Sequence, residues 1–170
     1  EYRAVRDYIQ WHMAHLNDVV SDYSGIAGTI YDYTIEVDDG KVVSEKSERH
    51  YDSVDSYAAT FLILISEYCQ RTGDEALFRQ YQDQVLLVLG AMERTIDRDG
   101  LSFTKPDYLV KYLMDNAEVY AALGCMESLL ERYPVPDGKR ILTRLRQRRT
   151  SLNERLEALL WNQGERRYET

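Results

Sequence analysis

Residues 52–59 and 115–122 read as one phrase written twice, 63 positions apart. Asp52-Ser53-Val54-Asp55-Ser56-Tyr57-Ala58-Ala59 aligns with Asp115-Asn116-Ala117-Glu118-Val119-Tyr120-Ala121-Ala122. Each copy has an Asp, a second carboxylate three places on, then Tyr-Ala-Ala and an apolar run. An internal period of this length marks an array of one supersecondary unit. Here the unit reads as a helical hairpin whose buried member begins with acidic side chains.

Five helices follow from apolar periodicity: about 4–19, 53–70, 75–95, 116–133 and 139–160. The second, with Phe61-Leu62-Ile63-Leu64-Ile65, is apolar all round and is expected to be buried on every side. The third and fifth are amphipathic. Buried and amphipathic helices therefore alternate, which predicts two layers of inner and outer helices joined as hairpins. Inner-to-outer turns are short, and Thr72 with Glu75 forms a capping box in the first of them. Outer-to-inner connections, 21–52 and 98–115, are long and all emerge at one end, where binding and catalysis concentrate. Within the first, Thr29 to Val37 alternates with strand period before Asp38-Asp39-Gly40, predicting a β-hairpin near 28–44. The predicted class is all-α, with residues 1–170 forming part of one domain.

Bulk properties exclude more than they identify. A formal charge of −8 opposes general nucleic-acid binding, and no apolar run is long enough to span a membrane. Lys139, Arg140, Arg144, Arg146, Arg148, Arg149 and Arg155 crowd the fifth helix without interleaved aromatics, as on a solvated outer face. Cys69 and Cys125 lie in apolar helical runs, where a thiol is a small hydrophobe. There is no phosphate loop, dinucleotide fingerprint or nucleophile elbow, so no cofactor is expected. His12, His15 and Asp18 share a helix stripe, but the expectation there is of no metal. The chain begins Glu1-Tyr2 and stops after Tyr168-Glu169-Thr170, and reads as a piece of something longer.

Several segments together resemble the six-hairpin glycosidase group, toroids of paired inner and outer helices. They are Gly28-Thr29-Ile30-Tyr31-Asp32-Tyr33, His50 through Phe61, Tyr68 through Asp74, Asp99-Gly100-Leu101, Tyr112 through Tyr120, and Leu160-Trp161-Asn162 through Tyr168. The resemblance implies a partial α/α toroid of about two and a half hairpins. It also implies a substrate cleft where the inner helices begin, and carbohydrate as the ligand. The missing part would come from the remainder of the toroid or from self-association through exposed inner helices.

Glycoside cleavage needs two carboxyl groups flanking the scissile bond, one protonated and one ionised. Asp55 and Glu118 are the leading candidates, with Asp52, Asp115 and Asp32 behind them. The plainer role of Asp52 and Asp115 is N-capping of their helices. Tyr31, Tyr33, Tyr51, Tyr108 and Tyr112 are candidate platforms for the apolar C–H faces of a sugar. Lys111, and the run Lys105-Pro106-Asp107, would orient hydroxyls or a carboxylated sugar. The chain alone is expected to be inactive. Two other readings stand beside the hydrolase: a sugar epimerase or isomerase with His50 as base, and a helical-repeat binding module without chemistry.

Overall fold

A computed structural model describes residues 2–168. Five helices carry the chain: α1 (Tyr2–Ala14), α2 (Asp55–Thr72), α3 (Glu75–Arg94), α4 (Leu113–Arg132) and α5 (Gly138–Leu160). Strands β1 (Tyr33–Asp38) and β2 (Lys41–Ser47) form an antiparallel hairpin between α1 and α2. A second small hairpin, β3 (Trp161–Asn162) with β4 (Arg167–Tyr168), follows α5. The class is all-α with a small β-hairpin, as expected.

The sequence period reappears as a packing period. Ser56 of α2 meets Glu118 of α4, Ser66 meets Met126, and Gln70 meets Arg132, at separations of 62, 60 and 62 residues. Contacts that advance together along both helices mean that α2 and α4 run parallel. α5 folds back along α4, with Arg146 on Glu131 and Arg149 on Glu127. Two further α5 arginines, Arg144 and Arg148, close on Glu93 of α3 at 2.8 and 2.9 Å. The crowded bases are thus in part a clamp that fastens the outer helix.

Phe61, Leu62 and Ile65 of α2 pack with Phe78, Leu89 and Met92 of α3 and Leu123, Met126 and Leu129 of α4. Each such fully buried side chain contributes about 1.5–3 kcal/mol by leaving water. α2 is nevertheless not covered all round. Ser56, Ile63, Leu64 and Glu67 are half-buried and Thr60 is exposed. On α4, Ala117, Tyr120, Ala121 and Ser128 are likewise open. Among the described residues, each of these two helices keeps one face without a helical partner.

Three local expectations need correction. α1 stops at Ala14, not near Val19. Asn17 leaves the helix to bond Thr29, and the Asp18 carboxylate accepts from the Val20 and Ser21 N–H groups, so both valines lie in an exposed turn. The cap of α3 is Asp74, which accepts from Leu77 N–H at 3.0 Å, and not Thr72. Gly73, left-handed at φ 70°, places Asp74 next to the helix and leaves Thr72 bonding back to Tyr68. The long hairpin occupies 33–47, later than the expected 28–44, with the type of turn that Asp39-Gly40 favours, both at positive φ.

A second small cluster, Ile26, Tyr31, Tyr51, Val54 and Ala91, fixes the first long connection to α3. It depends on Gly28. At φ 89° the backbone there passes so close to α3 that a Cβ would lie 2.4 Å from the Leu87 carbonyl oxygen.

Candidate active site

The parallel packing of α2 and α4 brings both copies of the acidic phrase to one end. The loop 96–112 wraps that end through backbone bonds: Val54 N–H donates to Thr104 O at 2.7 Å. The Asn116 side chain accepts from Ser102 N–H at 2.7 Å and donates to Ser102 O and Tyr112 O. Lys111 reaches Asp97 and Asp99 at 2.8 and 2.7 Å, so its ammonium fastens this loop instead of standing free for a ligand. Between the loop and the helix starts lies an open cleft of about 760 Å3. Asp52, Ser56, Tyr57, Lys105, Tyr108, Tyr112 and Asp115 line it.

The four phrase carboxylates occupy different environments. Asp55 is fully buried behind the cleft. Its Oδ1 accepts from the Ser53 hydroxyl and Ser56 N–H, both at 2.8 Å, and its Oδ2 from the Ser102 hydroxyl at 2.7 Å. Burial raises its pKa and those hydrogen bonds pull it back. Asp115 is 5% exposed and lines the cleft. Among the described residues its one hydrogen-bond contact is the Thr104 hydroxyl, 3.5 Å away and also directed at Val110 O. Burial first, then the charges of Asp55 and Glu118, push its pKa up to about 6. Glu118 accepts from the Ser56 hydroxyl, a direct link between the two helix starts. Asp52 is exposed at the rim.

Neither Asp52 nor Asp115 caps its helix by side chain. α2 starts three residues after Asp52, with Ser53 accepting from Ser56 N–H instead. α4 starts two residues before Asp115, which therefore sits inside the first turn.

The tyrosines also separate. Tyr108 and Tyr112 are half-exposed on the cleft wall, their hydroxyls 3.2 Å apart. Tyr51 is fully buried, its hydroxyl on Ser24, and supports Tyr23 from below instead of facing a ligand. Tyr31 is nearly buried, donating to Ser21 O and accepting from Tyr23 N–H. Tyr57 donates to Asp32 at 2.8 Å, and burial with the Asp32 charge raises its pKa to about 12. Asp32 also faces His50 Nδ1 at 3.2 Å, and His50 is mostly exposed and lines no part of the cleft.

Tyr57 separates the cleft from a second hollow of about 460 Å3 between α1, α2 and β1. Tyr31, Asp32 and Tyr33 fall on that hollow with Trp11, His12 and Phe61. His12 is stacked on Phe61 at 3.6 Å and is not paired with His15, which bonds Trp11 O and Glu45. Among the described residues no three His, Cys, Asp or Glu side chains converge in a way that would hold a metal ion. Trp11 and Thr60 were not singled out by the sequence, and no local pattern marks them. They become neighbours only when α1 packs across α2.

No protein-family model matches the chain, and neither does any curated protein. Among solved structures the chain is similar to a rhamnosidase from Klebsiella oxytoca with rhamnose bound. That likeness has a TM-score of 0.63 at 15% identity and covers 83% of this chain. The chain spans 27% of the rhamnosidase's length. The likeness is one of fold alone. No helix among the described residues is long and apolar enough to cross a membrane.

Proposed function

We propose that this chain is part of an α/α-toroid glycoside hydrolase and supplies one wall of its cleft. Asp115 is the general acid, and Asp52 or Glu118 is the ionised partner that acts as base or nucleophile. The observation that carries this reading is the state of Asp115. A carboxyl group titrating near 6, short of hydrogen bonds and facing a cleft, holds a proton that it can deliver to a leaving oxygen. Asp52 stands at the exposed rim, open to water. Asp55 moves from leading candidate to support, because both its oxygens are occupied away from the cleft.

Tyr108 and Tyr112 offer rings to the sugar faces. The open face of α4 takes further helical hairpins, which supply the opposite wall and exclude water. The rhamnosidase likeness supports a carbohydrate substrate and makes rhamnosides the first to test. The isomerase alternative loses ground, since His50 pairs with Asp32 and does not line the cleft.

The test is turnover of p-nitrophenyl glycosides, α-L-rhamnoside first, by the longest natural polypeptide that contains this chain. Asp115→Asn is expected to lower kcat by about 10²- to 10⁴-fold, the usual weight of general-acid catalysis. Unchanged turnover in that variant removes the assignment.

A further inference from the structure

We propose that the hollow between α1, α2 and β1 is a second carbohydrate subsite. It takes an uncharged pyranose unit of the same glycan whose scissile bond lies beside Asp115. The inference rests on the hydrolase reading for the nature of the ligand, but its geometry is independent of the carboxylate cluster.

At about 460 Å3 the hollow is in the range of small-ligand sites. Its walls are aromatic on three sides: Tyr8 and Trp11 from α1, Tyr33 from β1, and Tyr57 with Phe61 from α2. Tyr8, 48% exposed, keeps much of its ring open to a ligand. Rings placed around a hollow suit the C–H faces of a pyranose.

The polar groups are few and complement hydroxyls. Asp32 has one contact on each oxygen, from Tyr57 and His50, which leaves lone pairs for sugar O–H donors. Thr60 directs its hydroxyl hydrogen at Ser56 O, 2.8 Å away, and keeps its acceptor side available. His12 is 3% exposed and lies in the wall of the hollow, its ring flat on Phe61 and its Nδ1 enclosed, without a hydrogen-bond partner among the described residues. Burial, then the neighbouring His15, lower its pKa to about 3. It therefore adds no charge to the wall of the hollow. The part-exposed Asp32 carboxylate set among these rings is what separates the site from an ordinary gap in the core.

Charge selects among sugars. The lining contains Asp32 and no Lys or Arg, and the chain as a whole carries −8. Uronic acid units are repelled, and neutral or deoxy units are accepted. Tyr57 is a wall of both hollows, and its bond to Asp32 holds it in place. A glycan that reaches from one to the other crosses the Tyr57 ring.

The chain has two tryptophans, Trp11 and Trp161, and the second lies in β3. Trp161→Phe leaves Trp11 as the sole reporter of the hollow. The full chain with this change is titrated with maltotriose, cellotriose, tri-N-acetylchitotriose and trigalacturonate while its emission is followed. At least one neutral trisaccharide is expected to give a saturable change, with trigalacturonate silent. Tyr8→Ala and Asp32→Asn, each checked for unchanged helical content, should weaken the response at least tenfold. A flat titration with all the neutral sugars overturns the subsite and leaves the open face of α2 to another helix. A response that survives both substitutions unchanged overturns it as well. Saturable binding without any glycoside turnover keeps the subsite and removes the hydrolase, whereas turnover with a silent Trp11 does the reverse.

Discussion

The starts of α2 and α4 share one sequence phrase and differ in how their buried carboxylates are hydrogen-bonded. In α2 the second carboxylate, Asp55, is fully buried and receives three hydrogen bonds. In α4 the first, Asp115, is almost as buried and receives one long contact. The divergence traces to the residue after the first Asp. Ser53 is short and turns back on its own chain, bonding Asp55 and Ser56, so α2 begins late and leaves Asp52 outside. Asn116 reaches outward to the loop at Ser102, and α4 begins early enough to carry Asp115 inside its first turn. Carboxylates at the same spacing therefore give one group held by three hydrogen bonds and one left short of them.

The largest effect that tests this contrast is on activity. Asp115→Asn should cost about two to four orders of magnitude in kcat. Asp55→Asn, close in shape and with Ser102 able to turn its hydroxyl round, should keep most of the turnover left by any loss of stability. Equal losses in both variants would erase the distinction. Stability should reverse the order. Asp55→Ala strands the Ser53 and Ser102 hydroxyls, while Ser56 N–H keeps Ser53 as acceptor, at about 2–4 kcal/mol in urea unfolding. Asp115→Ala strands almost nothing and should be neutral or stabilising at pH 7.

The pH dependence sharpens the second half of that statement. Asp115 titrates near 6 when folded, against about 3.9 in an unfolded chain. Folding therefore takes up a proton between those values, and the group's contribution to stability falls as pH rises from 4 to 6. Above pH 6 the ionised carboxylate is a standing cost of roughly 1–3 kcal/mol. Asp115→Asn removes that cost. Its stability should match the parent's near pH 4 and exceed it at pH 7–8, by urea midpoints measured across the range. A constant difference at every pH would mean that Asp115 is not perturbed.

The architecture was legible because apolar period and turn residues are local. Four helices lie within a few residues of expectation, and the repeat pointed to a parallel α2–α4 pair before any packing was known. Local reading failed where a loop competes with a helix. Val19 and Val20 extend the apolar stripe of α1, yet the Asp18 turn claims them. β3 and β4 are two residues each, too short for any alternation to register. Where the candidate acids gather was legible, and how each is held was not. Ser102 and Thr104 arrive from the second long loop, and with them Asp55 gains a short hydrogen bond while Asp115 gains only a long contact. Lys111 and Tyr51 were taken for ligand contacts and are engaged in holding the loops. Nothing near them in sequence announces those distant partners.

The smallest expected effect concerns the bond that joins the two helix starts. The Ser56 hydroxyl donates to Glu118 across 62 residues of chain. Hydrogen bonds to a charged acceptor are worth about 1.5–3 kcal/mol, and part exposure of both groups reduces this to about 1 kcal/mol. Ser56→Ala and Glu118→Gln should therefore each cost little, and their double variant should cost less than the sum by about that amount. The coupling also has a chemical consequence. If Glu118 is the ionised partner of Asp115, freeing it from Ser56 should change kcat while leaving global stability nearly untouched. If Asp52 holds that role, Ser56→Ala should leave kcat alone and Asp52→Asn should abolish it. One double-mutant cycle read by both urea unfolding and turnover thus assigns the second carboxylate and measures how tightly the two copies of the phrase are coupled.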